Sequence, residues 1–235
     1  DRMKDTVIVL TSDHGDYLGD HWLGEKDLFH EPSVKVPLII YDPRAETNST
    51  RGTICDVLVE SIDLAPTFVE MAGGSVPEHI LEGRSLTPWL RGEKPAWRDY
   101  VISEYDYSVT PQAGKLGVAS RDARLFMVFD GRYKLMHAEG GMRPMLFDLK
   151  NDPEEFYDLA KGSDYSAEID KLYGDLHNWG LRMSQRVTKS ESDIDAMRGR
   201  SMRRGILPFM VDGSEAPEEL SEKYRGPIRQ DYIKD

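Results

Sequence analysis

One cysteine, Cys55, is all that the 235 residues contain, so no intrachain disulfide braces the chain and its fold does not depend on an oxidising compartment. No apolar run approaches the ~20 residues that a helical membrane span requires, and no membrane partner is expected. Basic charge is not in excess either: 30 Lys and Arg stand against 42 Asp and Glu, a net charge of −12. Nucleic acid is therefore an unexpected partner, because phosphate backbones select basic surfaces. Residues 1–5 have neither the basic nor the apolar region of a secretion signal, so the compartment stays open between cytoplasm and periplasm.

What is present suits a globular chain: 39% hydrophobic and 31% charged residues, at a length fitting one large domain or one and a half. Residues 7–10 form a continuous aliphatic run of the kind buried on both faces of a parallel sheet. Such a strand normally has neighbours on both sides, so the chain reads as the continuation of a longer protein. A short helix is predicted over 27–35, with Pro32 in its first turn, and a strand over 36–41 that Pro37 confines to an entry or edge position. The apolar spacing from 56 to 72 predicts an amphipathic helix around Pro66, closed by Gly73-Gly74.

After Trp89-Leu90-Arg91-Gly92 the texture changes to short strands, at 100–105, 117–120, 125–130, 133–137 and 145–149, with Asp130-Gly131 as a hairpin turn. Ile169, Leu172, Tyr173, Leu176 and Trp179 recur at helical spacing, which predicts a helix over 167–186 covering one face of a small antiparallel sheet. The expected domains are an α/β part over 1–92, the sheet-plus-helix unit over 93–187, and an extended arm over 188–235. The arm carries the basic run from Arg198 to Arg204 and is expected to make a homo-oligomer by meeting a carboxylate-rich surface of another subunit.

The chemistry-bearing stretch is Ser12-Asp13-His14-Gly15-Asp16, followed by Gly19-Asp20-His21 and Lys26. Ligands in open α/β sheets bind at the carboxyl ends of strands, and this is such an end. Asp13 and His14 supply a carboxylate and an imidazole, a pair suited to Mn²⁺, Zn²⁺ or Fe²⁺, whereas an all-oxygen shell suits Ca²⁺ or Mg²⁺ better. Two ligands do not complete a site. Lys26, twelve residues beyond His14, lies on a loop able to fold back and present a cation to an anionic substrate. Asp16 and Asp20 are candidates for a hydrogen bond to His14, and His21 for the rim, although solvated or loop-ordering roles serve these residues equally well. His30, His79, His137 and His177 read as structural, and Glu104, Tyr105 and Tyr107 as core or pocket wall. Asn48-Ser49-Thr50 satisfies the glycosylation sequon, and nothing else in the sequence indicates secretion.

The longer pattern resembles the sulfatase branch of the alkaline phosphatase superfamily. The resemblance rests on Ser12-Asp13-His14-Gly15, Gly19-Asp20-His21, Lys26 and Val36-Pro37-Leu38-Ile39-Ile40 in order, then Ser61-Ile62-Asp63-Leu64-Ala65-Pro66-Thr67 and Gly83-Arg84-Ser85-Leu86. It continues through Gly131-Arg132-Tyr133-Lys134-Leu135 and Leu146-Phe147-Asp148-Leu149, covering about residues 5 to 185. Phosphonate monoester hydrolases and related arylsulfatases have the nearest texture. The resemblance implies the C-terminal part of an alkaline-phosphatase-like α/β sandwich. It further implies that Asp13 and His14 ligate one divalent metal ion (Mn, Ca, Zn or Fe), and that Lys26 contacts the transferred group or leaving oxygen of a small anionic ester.

It also implies a formylglycine nucleophile, made from a Cys or Ser in a Cys/Ser-x-Pro-x-Arg motif. Cys55, in Thr53-Ile54-Cys55-Asp56-Val57, lacks that motif and reads as a small buried hydrophobe, so no nucleophile is assigned within this chain and formylglycine is expected upstream. Two other functions remain open from the sequence. One is a phosphodiesterase or phosphatase of the same superfamily with a Ser or Thr nucleophile, and the other is a non-catalytic, metal-stabilised oligomerisation module.

Overall fold

The computed structural model describes residues 2–182 and 188–197. The chain divides into two compact units, 1–187 and 188–235. In the first unit, β1 (Ile8–Thr11) pairs with β2 (Leu38–Tyr41), and the two run antiparallel with Ile8 opposite Tyr41 and Thr11 opposite Leu38. This corrects the expected parallel strand. The apolar run signals a strand but not its direction. A parallel return requires a crossover element, and the connection offers only α1 (Glu31–Val34), four residues long, so the chain comes back beside β1 in the opposite sense. Ile8, Leu10 and Ile39 are exposed at 42%, 53% and 61%, an uncovered apolar surface consistent with a strand that expects neighbours from outside this chain.

The helix expected over 56–72 is shorter. Glu60 and Asp63 form a reciprocal capping box, and a 3₁₀ turn at Ser61–Asp63 leads into α2 (Leu64–Met71). Residues 56–60 stay out of the helix because Glu60 is committed elsewhere: its carboxylate accepts from the Ile102 amide at 2.9 Å and lies 3.3 Å from Arg98 Nε. Pro66 falls in the first turn of α2, where no intrahelical N–H is lost. Cys55 is exposed, not buried as its apolar neighbours Ile54 and Val57 suggest, because its segment contributes to no core cluster. A one-turn helix, α3 (Thr87–Leu90), precedes the sheet.

The sheet has four antiparallel strands in sequential order: β3 (Val101–Asp106), β4 (Arg124–Phe129), β5 (Tyr133–Ala138) and β6 (Met145–Asp148). Phe129 opposite Lys134 leaves the four residues Asp130–Tyr133 for the turn, closed by the Asp130 amide donating to the Tyr133 carbonyl. Gly131 and Arg132 lie at its centre, with Gly131 at φ +91° and Asp130 Oδ1 accepting from the Arg132 and Tyr133 amides. The strand expected at 117–120 is absent. That region contains α4 (Pro111–Leu116), with Pro at its first position and Gly117 in the left-handed conformation after its last, followed by a 3₁₀ turn at Ser120–Asp122.

Alternation along the strands gives the sheet two buried faces. Val128, Leu135 and Leu146 pack with Leu172, Ile169, Tyr173 and Leu176 of α5 (Ser166–Gly180), so the predicted helix covers the predicted sheet. Phe147, Met127 and Met136 point the other way and pack with Phe29 and Val34, from the loop and helix that follow β1. That second face ties the sheet to the segment carrying the chemistry. In the second unit, where an extended arm is expected, α6 (Glu191–Met197) is helical. Arg198 to Arg204 and the rest of the expected oligomerising arm lie outside the described residues.

Candidate active site

The chain leaves β1 through Ser12, Asp13 and His14. Ser12 Oγ donates to the His14 carbonyl at 2.7 Å, and the His14 amide donates to Asp13 Oδ1 at 3.1 Å, so short-range hydrogen bonds fix this turn. His14 Nδ1 lies 2.7 Å from the Gly15 carbonyl oxygen. A carbonyl oxygen only accepts, so Nδ1 carries hydrogen and the neutral ring presents the Nε2 lone pair, the tautomer that metal ligation requires. Nε2 and Asp13 Oδ2 are 3.5 Å apart. A proton on the ring or a metal ion suits that spacing. Asp13 is 86% exposed, and its own backbone amide, then His14, hold its carboxyl below the usual carboxylate range, so it is ionised at neutral pH. The donor set fits one end of a divalent-cation site. Among the described residues no third His, Cys, Asp or Glu joins it.

The next eleven residues form a loop that ends at Lys26. The Tyr17 amide donates to the Glu25 carbonyl at 3.0 Å and Gly19 to Leu23 at 3.0 Å, closing the loop at its base. Leu18, His21, Trp22 and Glu25 all have positive φ, a conformation that non-glycine residues adopt at a cost and that the loop's closing hydrogen bonds help to hold. Tyr17 is 1% exposed, and its hydroxyl is 2.9 Å from His30 Nδ1.

Both arms of the loop then meet Ser33, which is buried: the Gly15 amide donates to its carbonyl at 2.7 Å, and its Oγ donates to the Lys26 carbonyl at 2.5 Å. Gly15 is required here, since a Cβ would lie 1.9 Å from the Pro32 carbonyl oxygen. Asp13, His14 and Lys26 border one broad, open concavity. Lys26 is exposed and, among the described residues, forms no ion pair, while Asp27 lies against Tyr105 on the wall of the same concavity.

Asp16 and His21 are placed differently. Asp16 Oδ1 accepts from the Leu18 amide at 2.9 Å, an Asx turn that starts the loop, and the His14 ring is oriented by the Gly15 carbonyl instead of by Asp16 or Asp20. His21 stacks on His30 with centroids 4.1 Å apart and lies 5.0 Å from Phe156, so it orders the loop.

His30 is buried, and burial, then the nearby His21 and Lys134, push its pKa down to about 4. Burial likewise pushes the Tyr17 phenol up to about 12. Unfolding exposes His30 to water at its ordinary value of about 6.5, so between pH 6.5 and 4 the unfolded chain binds the extra proton and stability falls as pH falls. The expected loss from pH 7 to pH 4 is about 3 kcal/mol from this residue. Urea denaturation of wild type and His30→Gln across that range checks it: the variant should lose that share of the slope, and parallel curves would remove His30 as its source.

One buried charged cluster lies outside the residues expected at the site. Lys134, on β5 and 1% exposed, extends from the sheet into the base of the loop, donating to the Phe29 carbonyl at 3.1 Å and to Glu31 Oε1 at 2.7 Å. Its Nζ is also 2.8 Å from Oε1 of Glu155, whose side chain is fully buried and whose Oε2 accepts from the Glu31 amide at 2.6 Å. Burial raises the Glu155 carboxyl more than Lys134 lowers it, whereas at Glu31 burial is outweighed by Lys134 and Lys35 and the carboxyl is held low. The signal available in the sequence is the alternation Lys134-Leu135-Met136, which places a lysine on the same buried face as Met136.

Residues 19–180 match the family described as N-sulphoglucosamine sulphohydrolase, C-terminal. The chain is 37% identical over 191 residues to the multifunctional alkaline phosphatase superfamily protein PehA of Trinickia caryophylli, covering 79% of this chain and 36% of that protein. It is 34% identical over 202 residues to a Delta 4,5-hexuronate-2-O-sulfatase of Bacteroides thetaiotaomicron, covering 83% and 37%. In structure it resembles the phosphonate monoester hydrolase of Agrobacterium radiobacter with a TM-score of 0.70 at 32% identity, over 77% of this chain and 36% of that one. The chain thus spans about a third of the length of these relatives. Its mixed helices and strands, with two antiparallel sheets, match the C-terminal part of the alkaline-phosphatase-like fold, as the sequence leads one to expect. Matched over residues 19–180 and flanked by these relatives, the chain belongs to the sulfatase branch of the alkaline phosphatase superfamily, a family of ester hydrolases that includes sulfatases and phosphonate monoester hydrolases.

Proposed function

We propose that the protein to which this chain belongs hydrolyses small anionic esters, sulfuric esters and phosphonate or phosphate monoesters, with Asp13 and His14 as ligands to one divalent cation and Lys26 as the cationic contact to substrate. The observation that supports this most is His14 Nε2 facing the Asp13 carboxylate at 3.5 Å, with Nδ1 turned to the Gly15 carbonyl, on a concavity that Lys26 also borders. When bound, the cation supplies Lewis-acid polarisation of the ester oxygens. Asp13 contributes negative charge and His14 a neutral nitrogen, and the Gly15 carbonyl holds the ring in the orientation that keeps Nε2 available. Lys26 offsets the charge that gathers on the transferred group or leaving oxygen as the ester bond breaks. The formylglycine nucleophile belongs to a segment outside this chain, since no Cys/Ser-x-Pro-x-Arg motif occurs in it.

The test is steady-state hydrolysis of 4-nitrophenyl sulfate and of a phenylphosphonate monoester by the full-length protein, beside an Asp13→Asn variant. Turnover of at least one ester by the wild type, and its collapse in the variant, is expected. Equal turnover by the two proteins would overturn the proposal.

A further inference from the structure

From the buried contacts around Phe29, Glu31 and Ser33 we infer that Lys134 is a positioning residue for Lys26 and the Asp13–His14 pair, transmitting the rigidity of the four-stranded sheet to them. This rests on the functional reading above. The backbone from Phe29 to Ser33 is the common seat of both site segments: Ser33 holds the Lys26 carbonyl through Oγ and the Gly15 amide through its carbonyl, and Gly15 approaches Pro32 too closely to admit a Cβ. That seat is itself held from the sheet by polar contacts. Lys134 Nζ donates to the Phe29 carbonyl and to Glu31 Oε1, and Glu155 closes the set by accepting from the Glu31 amide while lying 2.8 Å from Nζ. Glu155 has φ +56°, a strained backbone setting for glutamate, which indicates that its placement is held by these contacts and not by local preference. Apolar contacts alone, Phe29 and Val34 against Met127, Met136 and Phe147, hold the layers together but have no directional preference. The lysine and its two carboxylates add direction.

Catalysis is sensitive to such placement, since a displacement of about 1 Å by a mutation away from the chemistry costs roughly 10²-fold in rate. A double-mutant cycle in the full-length protein tests the inference on 4-nitrophenyl sulfate, with wild type, Lys134→Met, Lys26→Ala and the double variant. Lys134→Met should lower kcat/KM by roughly 10²-fold, mostly in kcat. The double variant should be slower than Lys26→Ala by less than the full Lys134→Met loss, because the part of that loss that passes through Lys26 is already spent while the part that passes through Asp13 and His14 remains. A Lys134→Met enzyme at the wild-type rate, or a double variant whose loss is the product of the single losses, would overturn the inference. If Lys26→Ala is itself fully active, the assignment of Lys26 fails and the inference fails with it, a result distinguishable from the first two. Should Lys134→Met not fold, Glu155→Gln, which is nearly isosteric, takes its place in the same cycle with the same expected coupling.

Discussion

Replacing Lys26 by alanine in the full-length protein is expected to lower kcat/KM for aryl sulfates and phosphonate monoesters by about 10²- to 10³-fold, the scale of one preorganised electrostatic contact. Metal content should remain at the wild-type level, because Lys26 is not a ligand. Folding should also be spared: the side chain is exposed, and what secures this residue to its neighbours is its carbonyl, bonded to Ser33 Oγ, which alanine retains. Steady-state kinetics with both esters, paired with elemental analysis, separates the outcomes. Unchanged kinetics on both would remove Lys26 from the site, and a parallel fall in metal content would mean that it supports the cation site instead.

The largest expected loss of stability is at Asp63. This carboxylate is fully buried, and its two oxygens each lie 2.5 Å from an Arg98 guanidinium nitrogen, itself only 8% exposed. It also accepts from the Glu60 amide at 2.9 Å and the Arg84 amide at 2.7 Å, joining the start of α2 to the segment that leads into β3. Asp63→Ala leaves a buried guanidinium short of its main partner and two amides without an acceptor, and should cost about 3–5 kcal/mol. Trp97, whose ring lies 5.1 Å from the Arg98 guanidinium carbon, gives a fluorescence signal for urea denaturation. A midpoint shift amounting to less than about 1 kcal/mol would show that Glu60, 3.3 Å from Arg98, suffices as counter-ion.

Much of this architecture was legible because it rests on local chemistry. Asp130-Gly131 announces a hairpin through the only residues that turn so tightly, and the apolar stripe from Ile169 to Leu176 announces the helix that meets Leu135 and Leu146. The ordered motifs around Asp13 and Lys26 mark the candidate site through the family resemblance they carry. What could not be read depends on the partner. The aliphatic run of β1 is equally good in either strand direction, and only the short α1 connection decides. The helix expected from residue 56 starts at 61 because Glu60 bonds to Ile102, a pairing across forty-two residues. The helix α4 is only six residues long, and Thr110-Pro111 and Gly117 at its two ends are its only local signals. Lys134, Glu31 and Glu155 come from three distant segments, and each in isolation looks like a surface charge. His30 reads from sequence as a structural histidine on a short helix, and its burial depends on Tyr17 and His21 packing against it, contacts that the local sequence does not announce.

The account stands most directly on the proposal that a divalent cation binds at His14 Nε2 and Asp13 Oδ2, and elemental analysis of the purified full-length protein tests it. Wild type should carry one divalent metal ion per chain, and His14→Ala should lose most of that metal together with activity, because it removes a ligand whose free lone pair the Gly15 carbonyl secures. A His14→Ala protein with its full complement of metal would contradict the assignment.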